Sequence, residues 1–493
     1  MAPLSPAPDD KFHQISTAVN AVLEPIVNYL YSYVLIALLL GVGLYFFVRS
    51  GALPLRMFKE SIRVVTEPPE KEGEISSFRA LMVSTASRVG VGNIAGVGTA
   101  IALGGAGAVF WMWVIATLGG ASAFVESTLA QIYKKRGTSK DDHSIGGPAY
   151  YIEIALKQHW LAVTFAVVLI LTYMGGFNLL ASFNVADAFT SYAWYNDLTW
   201  NGVVLTPYVI GALLAVAMAA SIYGGTRRLT SVAAVLVPIM ATIYLVVAIL
   251  VVVINWRNVP GMFSAIFAGA FDFEAIFGGF AGSAMMYGIK RGLYSNEAGV
   301  GSAPNAAASA SVSHPVKQGL VQMLSVFIDT MIVCTLTAFL ILSSGVQGGE
   351  DLKGAPLVTA AMQTALGSFA LPFTTFALLL FAFTTIIGNF YYAEVNLRFL
   401  LGKRGASLTT LRIFRTVAVV LVFGGALLDF SVAWNVGDIL MGLMVLINLP
   451  VILILGKKAL DAAKDYRAQR AKGINPEFKA ASIGITEKLD YWQ

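Results

Sequence analysis

The sequence predicts an all-α polytopic membrane protein of about eleven transmembrane helices: one extra N-terminal helix, then a five-plus-five inverted repeat. Three observations lead there. Mean hydropathy is +0.72 and 12% of the 493 residues are charged, against about 25% in ordinary soluble domains. Apolar runs long enough to cross the hydrocarbon recur along the chain, and those at 161–186 and 229–256 contain no charged residue. Finally, glycine-rich spans open both halves: Gly90, Gly92 and Asn93 in one, Gly278, Gly279, Gly282 and Ser283 in the other.

The runs, taken in order, are helices 1–11: 31–49, 78–103, 107–133, 160–190, 204–224, 229–255, 273–290, 316–344, 369–398, 411–427 and 434–456. The runs at 160–190 and 369–398 are long enough to tilt or to extend beyond the bilayer. This divides the chain into an outer segment (1–30), the extra helix (31–49), a cytoplasmic loop (50–77), a first repeat (78–255), a second repeat (273–456) and a cytoplasmic tail (457–493). Five helices per half is an odd number, so the halves are inverted relative to each other. The first residues (Pro3, Pro6, Pro8, Asp9, Asp10) lack the basic stretch of a cleaved leader, so helix 1 is expected to be retained.

Charge sets the orientation. With the N-terminus outside and the C-terminus inside, the inner loops and tail collect nearly all lysines and arginines, including Arg56, Lys59, Lys134, Lys135, Lys290, Arg291 and Lys317. Lys11, Arg257 and Lys353 fall outside, and Arg88 alone lies within a span. The pI near 9.0 therefore reflects sorting across a membrane and not affinity for nucleic acid. The basic tail reads as a solvated amphipathic segment touching anionic lipid. Tryptophans, Trp434 among them, lie near span ends as an interfacial belt requires.

Several classes are disfavoured. Cys334 is the single cysteine, and the four histidines fall in a tail or in loops. No metal-spaced histidines and no nucleophile–base motif occur, so an enzyme is not expected. A channel is a weaker alternative, because no filter motif is present.

Glycine holds a helix poorly, and freed backbone groups in a membrane must face protein or a polar cavity. Gly90, Gly92, Asn93 and Ile94 are thus candidates to hold an anionic group on free N–H groups at the positive end of a half-helix. Carbonyls from Phe280, Ala281, Gly282 and Ser283 are candidates for an ammonium. Alternatively, Gly92 and Gly96 form a small-residue packing face. The matched pair of glycine clusters favours broken helices. Arg88 is either a direct ligand of a carboxylate or an ion-pair partner of Glu126, Asp187, Asp329 or Glu394. Glu297, in the loop after helix 7, is either a gate residue or an ordinary capping carboxylate.

Motifs at Val89 to Val97, Phe110 to Trp113, Gly146 to Tyr151, Arg291 to Pro304 and Phe327 to Thr330 resemble those of the alanine or glycine:cation symporter family of the amino acid–polyamine–organocation superfamily. The resemblance covers about 76–450. It implies the leucine-transporter-type fold and sodium-coupled import of small neutral amino acids, alanine- or glycine-like or somewhat larger, by alternating access. The alternative is a proton-coupled carrier of another small zwitterion. The resemblance also implies a bacterial inner membrane; one copy of the chain suffices for the mechanism.

By the same resemblance, Asn178, Ala181 and Asn389 close the substrate pocket, unless the asparagines only join helices. A sodium ion, as co-transported cargo, would meet the carbonyls of Ala86, Val89 and Phe381 and the hydroxyls of Thr384 and Thr385. A second ion would sit near Asn93. The bland alternative for the threonines is a hydrogen bond to their own helix. The sequence departs from the family pattern at Ala181, Asn389 and Arg88, where many members carry glutamine, tryptophan and threonine. Helix 7 is also about one turn short between Gly282 and Gly288. Small groups at 181 and 389 point to a roomier pocket than alanine needs.

Overall fold

The computed structural model describes residues 11–70, 74–137, 144–271, 283–402 and 407–492, leaving aside the side chains of 11–14, 225–228 and 230. Among the described residues, eight helices are long and apolar enough to span a bilayer. They are helix 1 (Ile15–Arg49), helix 3 (Ala108–Ile132), helix 4 (His159–Ala188), helix 6 (Ser231–Ile254), helix 8 (Pro315–Ser344), helix 9 (within Gly354–Leu401), helix 10 (Leu408–Gly425) and helix 11 (Phe430–Ala471). The other three expected runs are shorter for separate reasons. Helix 2 is broken into Ser77–Arg88 and a segment Gly92–Gly104, helix 5 is Thr206–Ile222, and helix 7 is described as Ala284–Asn296.

Helix 3 is the hub, packed by helices 1, 7, 8 and 11. Helix 9 is a second hub, packed by helices 2, 4 and 6. Helix 6 lies at the rim, with Val235, Ile239, Val246 and Leu250 exposed, as a lipid-facing helix of a polytopic protein must be. The broken helix 2 packs on helices 6, 8 and 9 and is buried from Ala80 onward.

Four expectations change. The outer segment is not extended chain: a helix begins at Lys11 and continues into helix 1. The loop at 50–77 folds into two short helices, Leu53–Arg56 and Phe58–Val65. Lys290 and Arg291 are not loop residues but lie inside helix 7, buried on Asp438 of helix 11 at 2.8 and 3.2 Å. Trp434 leaves the interfacial belt: it is 2% exposed and stacks under the Arg291 guanidinium at 3.9 Å. A cation inside an apolar run reads as a loop in sequence; here a distant carboxylate and a ring face neutralise it.

The tail keeps Lys472, Lys479 and Lys488 exposed, but its apolar side is docked on the protein. Phe478, Ile485 and Leu489 are buried. Trp492 donates its indole N–H to the Gln131 carbonyl at 2.8 Å, and Asp490 pairs with Lys135 at 3.2 Å. Glu487 pairs with Lys458 on the extension of helix 11 beyond its apolar run.

Candidate functional site

The break in helix 2 follows from local chemistry. Val89 leaves the helical region (φ −76°, ψ 88°) after Arg88. Gly90 then donates its N–H to Asn93 Oδ1 at 2.7 Å, while the Asn93 N–H donates to the Gly90 carbonyl at 3.1 Å. This is the reciprocal arrangement in which a side chain three residues into a helix caps the residue that starts it. The Gly90 N–H, expected to be free, is therefore occupied by Asn93. Glycine is required at 90, because a Cβ there would lie 1.9 Å from Thr385 Oγ1 of helix 9.

Helix 9 brings two threonines with different surroundings. Thr384 donates to the carbonyls of its own helix, Leu380 at 3.1 Å and Phe381 at 3.0 Å, and lies 3.3 Å from Met240 Sδ. Thr385 Oγ1 is buried, faces the break and has no hydrogen-bond partner among the described residues. Ala86, Val89, Ile94 and Phe381 are all fully buried around it.

A polar chain leads away from the break. Ser87 Oγ lies 2.9 Å from Glu297 Oε1 and 2.7 Å from Asn389 Oδ1. Asn389 donates to Asn178 Oδ1 at 3.0 Å, and Asn178 Nδ2 is buried without a partner. Ala181 is three residues further along helix 4, also buried, which places it on the same helical face as Asn178.

On the other side, Asn93 Nδ2 donates to Asp329 Oδ1 at 2.7 Å. Ser295 Oγ lies 3.0 and 2.8 Å from the two Asp329 oxygens, and Thr330 donates to Oδ2 at 2.8 Å. This joins the break to helices 7 and 8 through an oxygen-rich, fully buried cluster. Gly92 lets helix 2 approach Tyr294 and Ser295, whose Cα would lie 3.3 Å from an added Cβ.

Helix 7 ends at Asn296 and the chain turns through 297–303; Gly278, Gly279 and Gly282 of the expected interruption lie outside the described residues. Glu297 (φ 53°), Gly299 (φ 83°) and Gly301 (φ 90°) adopt left-handed conformations there. Side chains occupy the freed backbone: Asn296 Oδ1 accepts from the Ala298 N–H (3.0 Å), Glu126 from the Gly299 N–H (3.2 Å), and Asn448 donates to the Gly299 carbonyl (2.9 Å). Asn448 also donates to Glu126 at 2.7 Å. Glu297 is thus no ordinary loop carboxylate: it is 1% exposed, accepts from Ser302 at 2.6 Å and meets Ser87. Phe280, Ala281 and Gly282 lie outside the described residues. Ser283 caps helix 7, accepting from the Met286 N–H at 3.1 Å.

Arg88 is buried and donates to Gln322, to its carbonyl and its side-chain oxygen both at 3.3 Å. Among the described residues Nε and Nη2 have no partner. Among the described residues it makes no ion pair within 4.0 Å, so none of the four expected carboxylates is its direct partner. Glu394 is engaged by Arg398 and Arg415 instead. Glu126, Glu297 and Asp329 nevertheless all lie within the electrostatic reach of Arg88. Sequence reasoning missed the roles of Asn296 and Asn448. Their signal was present, since amides in apolar surroundings must find partners.

Fold and site together define a class: a multi-span membrane protein whose core helices are interrupted around buried polar groups. The chain belongs to the sodium:alanine symporter family, which it matches over residues 16–480. It is similar to the amino-acid carrier protein AlsT of Bacillus subtilis (42% identity, over 96% of this chain and 98% of that one). It is also similar to two further proteins of that organism. One is the probable sodium/glutamine symporter GlnT (42%, over 96% and 97%); the other is the putative sodium/proton-dependent alanine carrier protein YrbD (40%, over 94% and 96%).

Proposed function

We propose that this chain is a cation-coupled symporter that imports small neutral amino acids, alanine and glutamine among them, through the interrupted helices 2 and 7. The observation that carries the reading is the meeting of the helix 2 break, the unpartnered Thr385 hydroxyl and the Glu297 carboxylate at one buried place. An amino acid needs a cationic and an anionic partner away from bulk water. The start of the outer half of helix 2 offers N–H groups and a positive dipole end to its carboxylate. Glu297 and the turn after helix 7 offer oxygens to its ammonium, with Asn178, Ala181 and Asn389 beside the side chain.

Sodium wants oxygen ligands. Thr385 with the carbonyls of Ala86, Val89 and Phe381 is one proposed position, and Asp329 with Asn93, Ser295 and Thr330 is another. The second suggests a coupling device. An ion that claims Asn93 Oδ1 would take it from the Gly90 N–H and free that donor for the substrate carboxylate. Asp329 could carry a proton in place of sodium, which accommodates the dual coupling named for the similar alanine carrier. Arg88 then acts as a fixed positive charge that stabilises the unwound segment among three carboxylates.

We read the core as a leucine-transporter-type five-plus-five repeat that rocks between outward- and inward-open states in a bacterial inner membrane, N-terminus outside and C-terminus inside. Each sodium entering supplies about 2.3 kcal/mol per 100 mV. The test is uptake of labelled alanine, glycine, serine and glutamine, in both chiral forms, into proteoliposomes with sodium and proton gradients imposed separately. Saturable, gradient-driven accumulation supports the reading. Unsaturable flux, or none under either gradient, overturns it.

A further inference from the structure

A cavity lies between the connection after helix 1, helix 3 and helix 8. It has a volume of about 360 Å³, within the roughly 300–1,000 Å³ typical of small-molecule sites. Leu55 and Phe58 of the connection after helix 1, Ala116 and Gly120 of helix 3, and Phe327 and Met331 of helix 8 form its wall. Its one polar side chain is Thr117, whose hydroxyl donates to the Trp113 carbonyl of its own helix at 2.8 Å. The wall therefore suits an apolar guest and not a zwitterion. Met323 and Met331 give it the adaptable surface that a flexible chain requires.

The rim is charged. Arg49, Arg56 and Lys59 are exposed, and Arg56 and Lys59 directly follow the lining residues Leu55 and Phe58. The nearby acids are already engaged: Glu60 pairs with Arg63 and Arg470, and Glu67 with Arg63 and Lys317. Arg49, Arg56 and Lys59 have no carboxylate among the described residues within 4.0 Å. Leu55, exposed at the cavity mouth, is apolar surface beside these cations. An apolar cavity beside unneutralised cations, at the end of helix 1 where basic residues collect, matches a molecule with an anionic head and a hydrocarbon tail.

We propose that this cavity binds one anionic glycerophospholipid, with an acyl chain against Gly120, Phe327 and Met331 and its phosphate on Arg56 and Lys59. The site touches the transport core directly. Phe327 and Met331 belong to the π-helical turn Phe327–Cys334 that also carries Asp329 and Thr330. An acyl chain there presses on the outer side of the turn that supports the Asp329 cluster. Binding stands independently of the transport reading; only its effect on sodium coupling rests on that reading.

The test is native mass spectrometry of the full chain, released from detergent with phosphatidylglycerol or phosphatidylcholine at equal concentration. The unsubstituted protein should retain one phosphatidylglycerol at least fivefold over phosphatidylcholine. R56Q/K59Q should remove that preference, and Ala116→Leu, which fills the cavity, should lower retention of both lipids. Lys59→Gln alone, a surface change that leaves the fold intact, should cause a smaller loss. Equal retention of the two lipids by the unsubstituted protein overturns the proposal, as does full retention by R56Q/K59Q. Displacement of the bound lipid by glycerol 3-phosphate as readily as by intact phosphatidylglycerol would show a phosphate site without the acyl chain, and would also overturn it. Absence of sodium-driven uptake in vesicles that contain phosphatidylglycerol, with binding intact, would count against the transport reading and not against the lipid site.

Discussion

Helix 2 breaks in its middle and helix 7 ends in a buried turn, and the two irregular segments are held by different means. In helix 2 the break is closed within four residues: Asn93 caps the Gly90 N–H that its own turn exposes. After helix 7 the turn is stapled from afar, by Glu126 of helix 3 and Asn448 of helix 11 on Gly299. A local cap is a single hydrogen bond and can be exchanged for a ligand at small cost. A staple made of two buried side chains from other helices ties the chain to the scaffold. The contrast assigns helix 2 the responsive role and helix 7 the anchored one.

Removing the staple should have the largest effect. Glu126→Ala removes the acceptor of the Gly299 N–H and of one of the Asn448 amide's hydrogen bonds in the core, at about 1–3 kcal/mol each. Thermal unfolding can be followed through Cys334, the buried sole cysteine, with a thiol-reactive dye. A strongly lowered melting temperature is expected, and an unchanged one would put the two segments on an equal footing. Asn93→Ala should cost less, about 1 kcal/mol for a lost cap. It should nevertheless move the sodium activation curve of uptake severalfold, because Asn93 also contacts Asp329.

Two smaller effects concern the end of the molecule where the C-terminal tail docks. Trp492→Ala removes the indole bond to Gln131 and the ring beside Lys134, and should speed proteolysis of the tail without changing substrate selectivity. His314, the N-cap of helix 8, is pushed by burial below its ordinary imidazole value of 6.5, with the hydrogen bond to Asp465 opposing. A lowered folded value means that the unfolded chain takes up the proton first as pH falls. The stability from neutral His314 is therefore complete above about 6.5 and declines as pH drops below it. Melting between pH 7.5 and 5 should show that slope, and His314→Gln should flatten it.

The same contrast explains what could be read from sequence. The helix 2 break was legible because glycines and the capping asparagine are neighbours in the chain. The buried turn after helix 7 at 297–303 was not: Lys290 and Arg291 suggested that the membrane had already ended, and the residues that neutralise them and staple Gly299 are far away in sequence. The charged tail was misjudged for the same reason, since Lys135 and Lys458 receive its carboxylates only after folding. Family and transport class were legible from motifs; the partners of buried charges depend on tertiary structure.

The account rests on helix 2 sharing its break with a coupling ion at Thr385. The most direct measurement is the sodium activation curve of alanine uptake in proteoliposomes for Thr385→Val beside Thr384→Val. The account predicts a rise of about tenfold or more in half-saturating sodium for Thr385→Val, as for a lost ligand worth about 1.4 kcal/mol, and little change for Thr384→Val, whose hydroxyl is committed to its own helix. An unchanged curve for Thr385→Val, or equal shifts for both, would contradict it.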